Sequence, residues 1–169
     1  MKVVETDRLI LRWLDAGDAA FILQLLNEPS WIRYIGDKGV KTLGDAEDYI
    51  RKGPRAMYER SGHGLYLVET KARGESIGMC GLIKREALDD VDLGFAFLPA
   101  YWGQRYAFES ATAAMAYGKS ALGLARIVAI ASPDNQPSIG LLTKLGFRFE
   151  RTMRLSAEDI ELELYAATP

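Results

Sequence analysis

Asp92-Leu-Gly-Phe-Ala-Phe-Leu-Pro-Ala-Tyr-Trp-Gly-Gln-Arg-Tyr-Ala-Phe-Glu109 carries a strand pattern through a turn and into a helix. Val91, Leu93, Phe95 and Phe97 recur at period two and mark one face of a strand. Leu98-Pro99 ends it, and Gly103 permits a tight turn before a helix that begins near Tyr106. The first amides of a helix have no intrahelical partner. With the positive end of the helix dipole they make a site for an anion such as a pyrophosphate. The same order of elements also serves α/β proteins as a plain connection, so the flanking segments have to decide between the two readings.

Upstream, Arg8 to Leu14 reads as a strand. Asp15, with Asp18 three residues on, has the spacing of a capping box and opens a helix whose apolar face is Phe21, Ile22, Leu25 and Leu26, with Pro29 just beyond it. A second helix is expected from about Leu43 to Tyr58, broken or kinked at Gly53-Pro54. Leu65 to Glu69, Ser76 to Lys84 and Val91 to Leu98 form an antiparallel meander joined by short polar turns. Downstream, the helix from Tyr106 to about Leu122 turns Phe108, Ala111, Met115, Gly118 and Leu122 inward. Ile127 to Ala131 is a short, continuously apolar run, which suits a buried parallel neighbour in a βαβ unit. Asn135 is placed to cap a helix that ends at Gly146-Phe147, and Phe147 to Leu155 and Ile160 to Ala166 close the chain as strands. The fold class is α/β (α+β): a mixed, mostly antiparallel sheet of about six or seven strands flanked by about four helices.

The 169 residues suffice for one domain with a single core, and residues 1–169 are read as that one domain. Apolar residues make up 49% and charged residues 26%, ordinary for a globular chain, and no apolar run approaches the ~20 residues that span a bilayer. The first residues lack the apolar core of a secretion signal, so a cytoplasmic location is expected. A net charge of −2 argues against nucleic acid as a partner, and a membrane partner is not expected either. A single cysteine, Cys80, excludes an internal disulfide and reads as an inert buried thiol. No Cys/His or Asp/Glu spacing suits a metal. His63, between two glycines, reads as a solvated loop histidine, with a general-base role as the alternative.

Five segments carry a resemblance: Glu5-Thr-Asp-Arg-Leu-Ile-Leu-Arg12 with the helix after it, Ile77-Gly-Met-Cys-Gly-Leu82, Asp92-Leu-Gly-Phe95, Tyr101 to Ala107, and Asn135-Gln-Pro-Ser-Ile-Gly-Leu-Leu-Thr-Lys-Leu-Gly-Phe147. In that order they resemble the GNAT superfamily of acyl-CoA-dependent N-acetyltransferases, most closely its RimJ/RimL branch of ribosomal-protein N-terminal acetyltransferases. The resemblance implies acetyl-CoA held by Phe95, Ala96 and Phe97 of the strand, by the turn Trp102, Gly103, Gln104, Arg105, Tyr106 and Ala107, and by Asn135 and Ser138. The family pattern Q/R-x-x-G-x-G/A falls on Trp102, Arg105 and Ala107. Arg105, standing where glycine is usual, either pairs with a CoA phosphate or points away from it.

For chemistry, the resemblance implies Ser138 as partner of the leaving thiolate. Leu142 occupies the place where many relatives carry a tyrosine acid. Asp92 matches the place of a glutamate general base and, one methylene shorter, suits a water relay or a solvated strand end. Glu109 is either a helix-dipole partner or a proton acceptor. Trp31, Tyr34 and Tyr101 line an acceptor pocket or belong to the core. The implied activity is acetyl transfer to a primary amine, a protein N-terminus or a small molecule, by direct attack in a ternary complex. A non-catalytic acyl-CoA-binding domain is the alternative. A monomer or a homodimer suits either.

Overall fold

The computed structural model describes residues 1–169 and opens with a hairpin of β1 (Lys2–Glu5) and β2 (Leu9–Arg12). β1 escapes the sequence reading because its two apolar residues, Val3 and Val4, are adjacent and show no alternation. The capping box forms as expected: the Asp15 carboxylate accepts the Gly17 N–H at 2.9 Å, and the Asp18 carboxylate accepts the Asp15 N–H at 2.9 Å. It leads through a 3-10 turn into α1 (Ala19–Leu26), whose Ile22, Leu25 and Leu26 are buried. Pro29 does more than follow this helix. It starts α2 (Pro29–Tyr34), where a missing N–H leaves nothing unpaired.

α3 (Leu43–Ile50) and α4 (Ala56–Ser61) flank a π-helical turn, Arg51–Arg55, that contains Pro54. Gly53-Pro54 thus widens the helix instead of ending it, because the wider turn removes the hydrogen bond that proline is unable to donate. Next come β3 (Leu65–Thr70), β4 (Ser76–Ile83) and β5 (Asp92–Phe97), an antiparallel meander as expected. α5 (Tyr106–Ser120) carries the chain to β6 (Ile127–Ala131), which runs parallel to β5. α6 (Gln136–Lys144) precedes β7 (Arg148–Met153) and β8 (Leu162–Ala167), and β8 inserts between β6 and β7. The eight strands stand in the order β1-β2-β3-β4-β5-β6-β8-β7.

The sheet separates two cores. On one face α5 buries Ser110, Ala111, Ala114, Met115 and Gly118 against Tyr66, Val68, Cys80, Leu82 and Leu93. Gly118 lets the helix lie close to the sheet there, since a Cβ would lie 2.8 Å from Leu82 Cδ1 and displace that side chain. On the other face Leu67, Met79 and Leu98 pack with Ile22, Leu25, Trp31, Ala46 and Ile50 of α1–α3. Each fully buried aliphatic side chain contributes about 1.5–3 kcal/mol.

His63 departs from its reading as a solvated loop residue. It is buried, with Nδ1 2.7 Å from the Leu82 carbonyl oxygen. The cause is a continuation of the sheet ladder: Leu82 N–H donates to the Gly64 carbonyl, which lies 2.0 Å from where a Gly81 Cβ would stand. Residues 63–64 are thereby pulled against β4. Cys80 is fully buried, and burial pushes its thiol up to about 12 despite a hydrogen bond with Ser110, so no thiolate forms at neutral pH. No helix is long and apolar enough to cross a membrane.

Candidate active site

β5 ends at Phe97, whose carbonyl oxygen accepts the Trp102 indole N–H at 2.9 Å. That bond folds the Pro99–Tyr101 turn back on the strand and presents residues 102–105 to solvent. Gly103 has φ +74, and Arg105, the only non-glycine residue with positive φ, has φ +65 and ψ +16. A left-handed non-glycine residue costs about 1–2 kcal/mol, so the turn geometry is imposed by its surroundings. Its effect is to start α5 at Tyr106 with no side chain capping the first amides. The Arg105 guanidinium lies 5.1 Å above the ring of Phe108, which is half buried.

The imposing surroundings come from the β1–β2 turn. Glu109 accepts the Thr6 hydroxyl at 2.5 Å, the Arg8 N–H at 3.0 Å and the Arg8 Nε at 2.7 Å. Arg8 also donates to the Gln104 carbonyl at 2.9 Å and stacks on Tyr106, 4.4 Å from its ring centroid. Partial burial works against the Glu109 carboxylate, but the Thr6 and Arg8 hydrogen bonds and the Arg8 charge prevail and hold its pKa below the ordinary value. An anchored carboxylate of low basicity is a poor proton acceptor. Glu109 therefore braces the turn.

β5 and β6 pair only at Asp92↔Val128 and part towards their carboxyl ends. Parallel neighbours present those ends to one edge of the sheet, so the 102–107 turn and the start of α6 stand side by side. There Asn135 caps α6, accepting the Ser138 N–H at 3.4 Å, and both residues are half buried. Arg33 of α2 reaches Asp134 of the same loop at 3.2 Å. Uncapped amides at one strand end, an opening between two strands and a capped helix beside it suit a long ligand with an anionic head, as acetyl-CoA is.

Asp92 stands at the closed end of this opening, about 16 Å along β5 from Phe97. It is 1% exposed, so its reading as a solvated strand end is overturned. Arg85 Nε donates to its two oxygens at 3.1 and 3.2 Å. Burial holds the Asp92 carboxyl above its ordinary range while Arg85 opposes the shift. Tyr49 of α3, raised to about 12 by burial, and Lys38 both feel the Arg85 charge.

Among the aromatic residues, Trp31 is buried in the α1–α3 core, as the core alternative of its reading has it. Tyr34 is half buried under the Arg33 guanidinium, and Tyr101 packs 6.3 Å from Tyr106 between the two cores. Thr6, Arg8, Lys38, Tyr49 and Arg85 were not singled out from the sequence. Arg8 and Glu109 are 101 positions apart, a separation at which no local pattern signals contact.

The Acetyltransferase (GNAT) domain model matches residues 8–148. The chain is 32% identical over 154 residues to an uncharacterized N-acetyltransferase, YoaA, of Bacillus subtilis (strain 168), covering 90% of this chain and 86% of the relative. It is 28% identical over 141 residues to the spermidine N(1)-acetyltransferase of Escherichia coli (strain K12), covering 83% and 73% of the two chains. In fold it is similar to a coenzyme A complex of RimL, a ribosomal L7/L12 alpha-N-protein acetyltransferase, with a TM-score of 0.84 at 18% identity over 99% of this chain and 98% of that one. The family match spans most of the chain and includes both the 102–107 turn and the opening between β5 and β6, so the protein belongs to the GNAT acetyltransferase family and is an N-acetyltransferase that uses acetyl-CoA.

Proposed function

We propose that the protein transfers the acetyl group to a primary amine, a peptide α-amine or a compact amino compound, by direct attack in a ternary complex. The observation that carries this reading is the uncapped start of α5, set by left-handed Arg105 and lying beside Asn135 and Ser138 where β5 and β6 part. The Gly103 to Ala107 amides hold the pyrophosphate, and the edge of Phe95, Ala96 and Phe97 takes the extended arm. When bound, acetyl-CoA supplies a thioester carbonyl as electrophile. The amine nitrogen bonds to that carbon, the C–S bond breaks, and the Ser138 hydroxyl donates a hydrogen bond to the departing sulfur. Asp92 receives the amine proton through water, a role favoured by a carboxyl held above its usual range. The Arg8–Arg12 opening and the fold likeness to RimL support placement in the RimJ/RimL-like branch.

The test is thiol release from acetyl-CoA with amino acids, polyamines, aminoglycosides and N-terminal peptides, followed by mass spectrometry to locate the acetyl group. Acetylation of a primary amine is the expected outcome. A product acetylated only on oxygen would overturn the choice of acceptor, and pyrophosphate bound away from residues 103–107 in a ligand-bound structure would overturn the site.

A further inference from the structure

A single polar contact ties α2 to the rest of the protein. Its backbone hydrogen bonds stay within residues 28–36, and Trp31 holds it to the core by apolar packing, with the indole N–H unpaired. The one hydrogen bond that leaves the helix runs from Arg33 to the Asp134 carboxylate at 3.2 Å. It is also the only hydrogen bond between residues 15–62, which hold α1 to α4, and residues 126–169. α2 belongs to the layer over β3, β4 and the end of β5, where Trp31 shares a core with Leu67, Met79 and Leu98. Asp134 follows the carboxyl end of β6. Since β5 and β6 part between these two points, the pair bridges the mouth of the opening, on the face away from α5 and α6.

We propose that Arg33 and Asp134 are positioning residues that strap the β5–β6 opening shut in the free protein, so that acetyl-CoA parts them both on entering and on leaving. This rests on the placement of acetyl-CoA between β5 and β6. With α5 and α6 covering one face of the opening, the strap confines the arm on the other. Its strength suits a closure that opens. Arg33 and Asp134 are 65% and 58% exposed, and a pair so exposed shifts an equilibrium by at most about fivefold. Each side chain also keeps a partner when the pair parts: Arg33 lies 4.9 Å over the Tyr34 ring, and Asp134 accepts the Ser132 hydroxyl at 2.7 Å. A strap closed with and without ligand slows both directions alike and leaves the affinity unchanged. A residue that merely touched the ligand would change dissociation and affinity together.

The experiment measures association and dissociation of CoA by stopped-flow tryptophan fluorescence, Trp102 standing in the 102–107 turn. Arg33→Gln and Asp134→Asn are each expected to raise both rates by about two- to fivefold with Kd held to within about twofold. Simple destabilisation would not speed association. Exchanging the charges, Arg33→Asp with Asp134→Arg, is expected to bring both rates back towards wild type. Rates equal to wild type in the single variants, a Kd that rises in step with dissociation, or an exchanged pair as fast as the single variants would overturn the strap. NMR of the Gly103, Tyr106 and Ala107 amides during CoA addition separates the two readings. If those amides shift while the rates stay equal, the strap alone fails; if they do not shift, the placement of acetyl-CoA fails and the strap with it.

Discussion

Glu109, in the first turn of α5, accepts both the backbone N–H and the Nε of Arg8, at 3.0 and 2.7 Å, across 101 residues of sequence. The same Arg8 holds the Gln104 carbonyl at 2.9 Å. The β1–β2 turn is thereby tied to the segment whose amides open α5. Arg8 consequently positions the turn proposed to hold acetyl-CoA. Arg8→Ala is expected to raise KM for acetyl-CoA by about tenfold, or ~1.4 kcal/mol, with kcat changed by less than about twofold. Steady-state kinetics at varied acetyl-CoA checks this, and a fall in kcat at unchanged KM would assign Arg8 elsewhere.

The anchored carboxylate also sets an acid response. The folded pKa of Glu109 lies below its ordinary value of 4.5, so its stabilising contribution is complete above about pH 4.5 and is lost as pH falls towards the folded value. Asp92 acts in the opposite sense. Its folded pKa is raised above 3.8, so the native state gains from its protonation, and that gain declines as pH rises through the raised value. Chemical denaturation between about pH 5 and pH 3 should show wild type losing more stability than Glu109→Gln. Parallel curves would mean that Glu109 titrates alike in both states.

Arg105 carries a backbone cost and a stacking gain. Arg105→Gly removes about 1–2 kcal/mol of left-handed strain and forfeits about 0.5–1 kcal/mol of cation–π contact with Phe108. Stability should therefore stay level or rise by up to about 1.5 kcal/mol, while KM for acetyl-CoA is expected to rise, the outcome of a guanidinium that meets a phosphate in the proposed site. Arg105→Ala keeps the strain and loses the stacking, so its midpoint should fall below that of both wild type and the glycine variant. Acetyl-CoA binding as tight in the glycine variant as in wild type would leave the guanidinium no part in phosphate recognition.

Ser138→Ala is expected to lower kcat more than it raises KM, the signature of the proposed hydrogen bond from its hydroxyl to the departing sulfur. Asn135→Ala should instead cost about 1 kcal/mol of stability through loss of the α6 cap. Asp92→Asn leaves Arg85 part-buried without its counter-charge, and Arg85→Gln leaves Asp92 buried without its own. The second change costs about 3–5 kcal/mol, and the first costs less, because Arg85 is 34% exposed and burial already favours an uncharged group at Asp92. Rates for Asp92→Asn are therefore to be read at a temperature where its folded fraction is verified by circular dichroism. A kcat within about twofold of wild type for both Ser138→Ala and Asp92→Asn would make positioning and solvent sufficient for the reaction.

Much of this architecture is legible along the chain because periodicity and punctuation report local backbone geometry. The meander, the start of α5 at Tyr106, the parallel β6 and the Asn135 cap all stand where alternation, glycine and capping residues place them. β1 was not legible, because two adjacent valines give a four-residue strand no alternation to read. The sequence by itself thus determined the order of elements, and with it the junction of β5 with α5. The tertiary structure decided what faces what. His63 is buried because residues 63–64 continue the ladder beside β4, Glu109 is occupied because sheet order brings Arg8 to it, and Asp92 is sealed against Arg85 at the one point where β5 and β6 pair. Those outcomes depend on strand order and on the path of loops between distant segments, which side-chain periodicity does not encode.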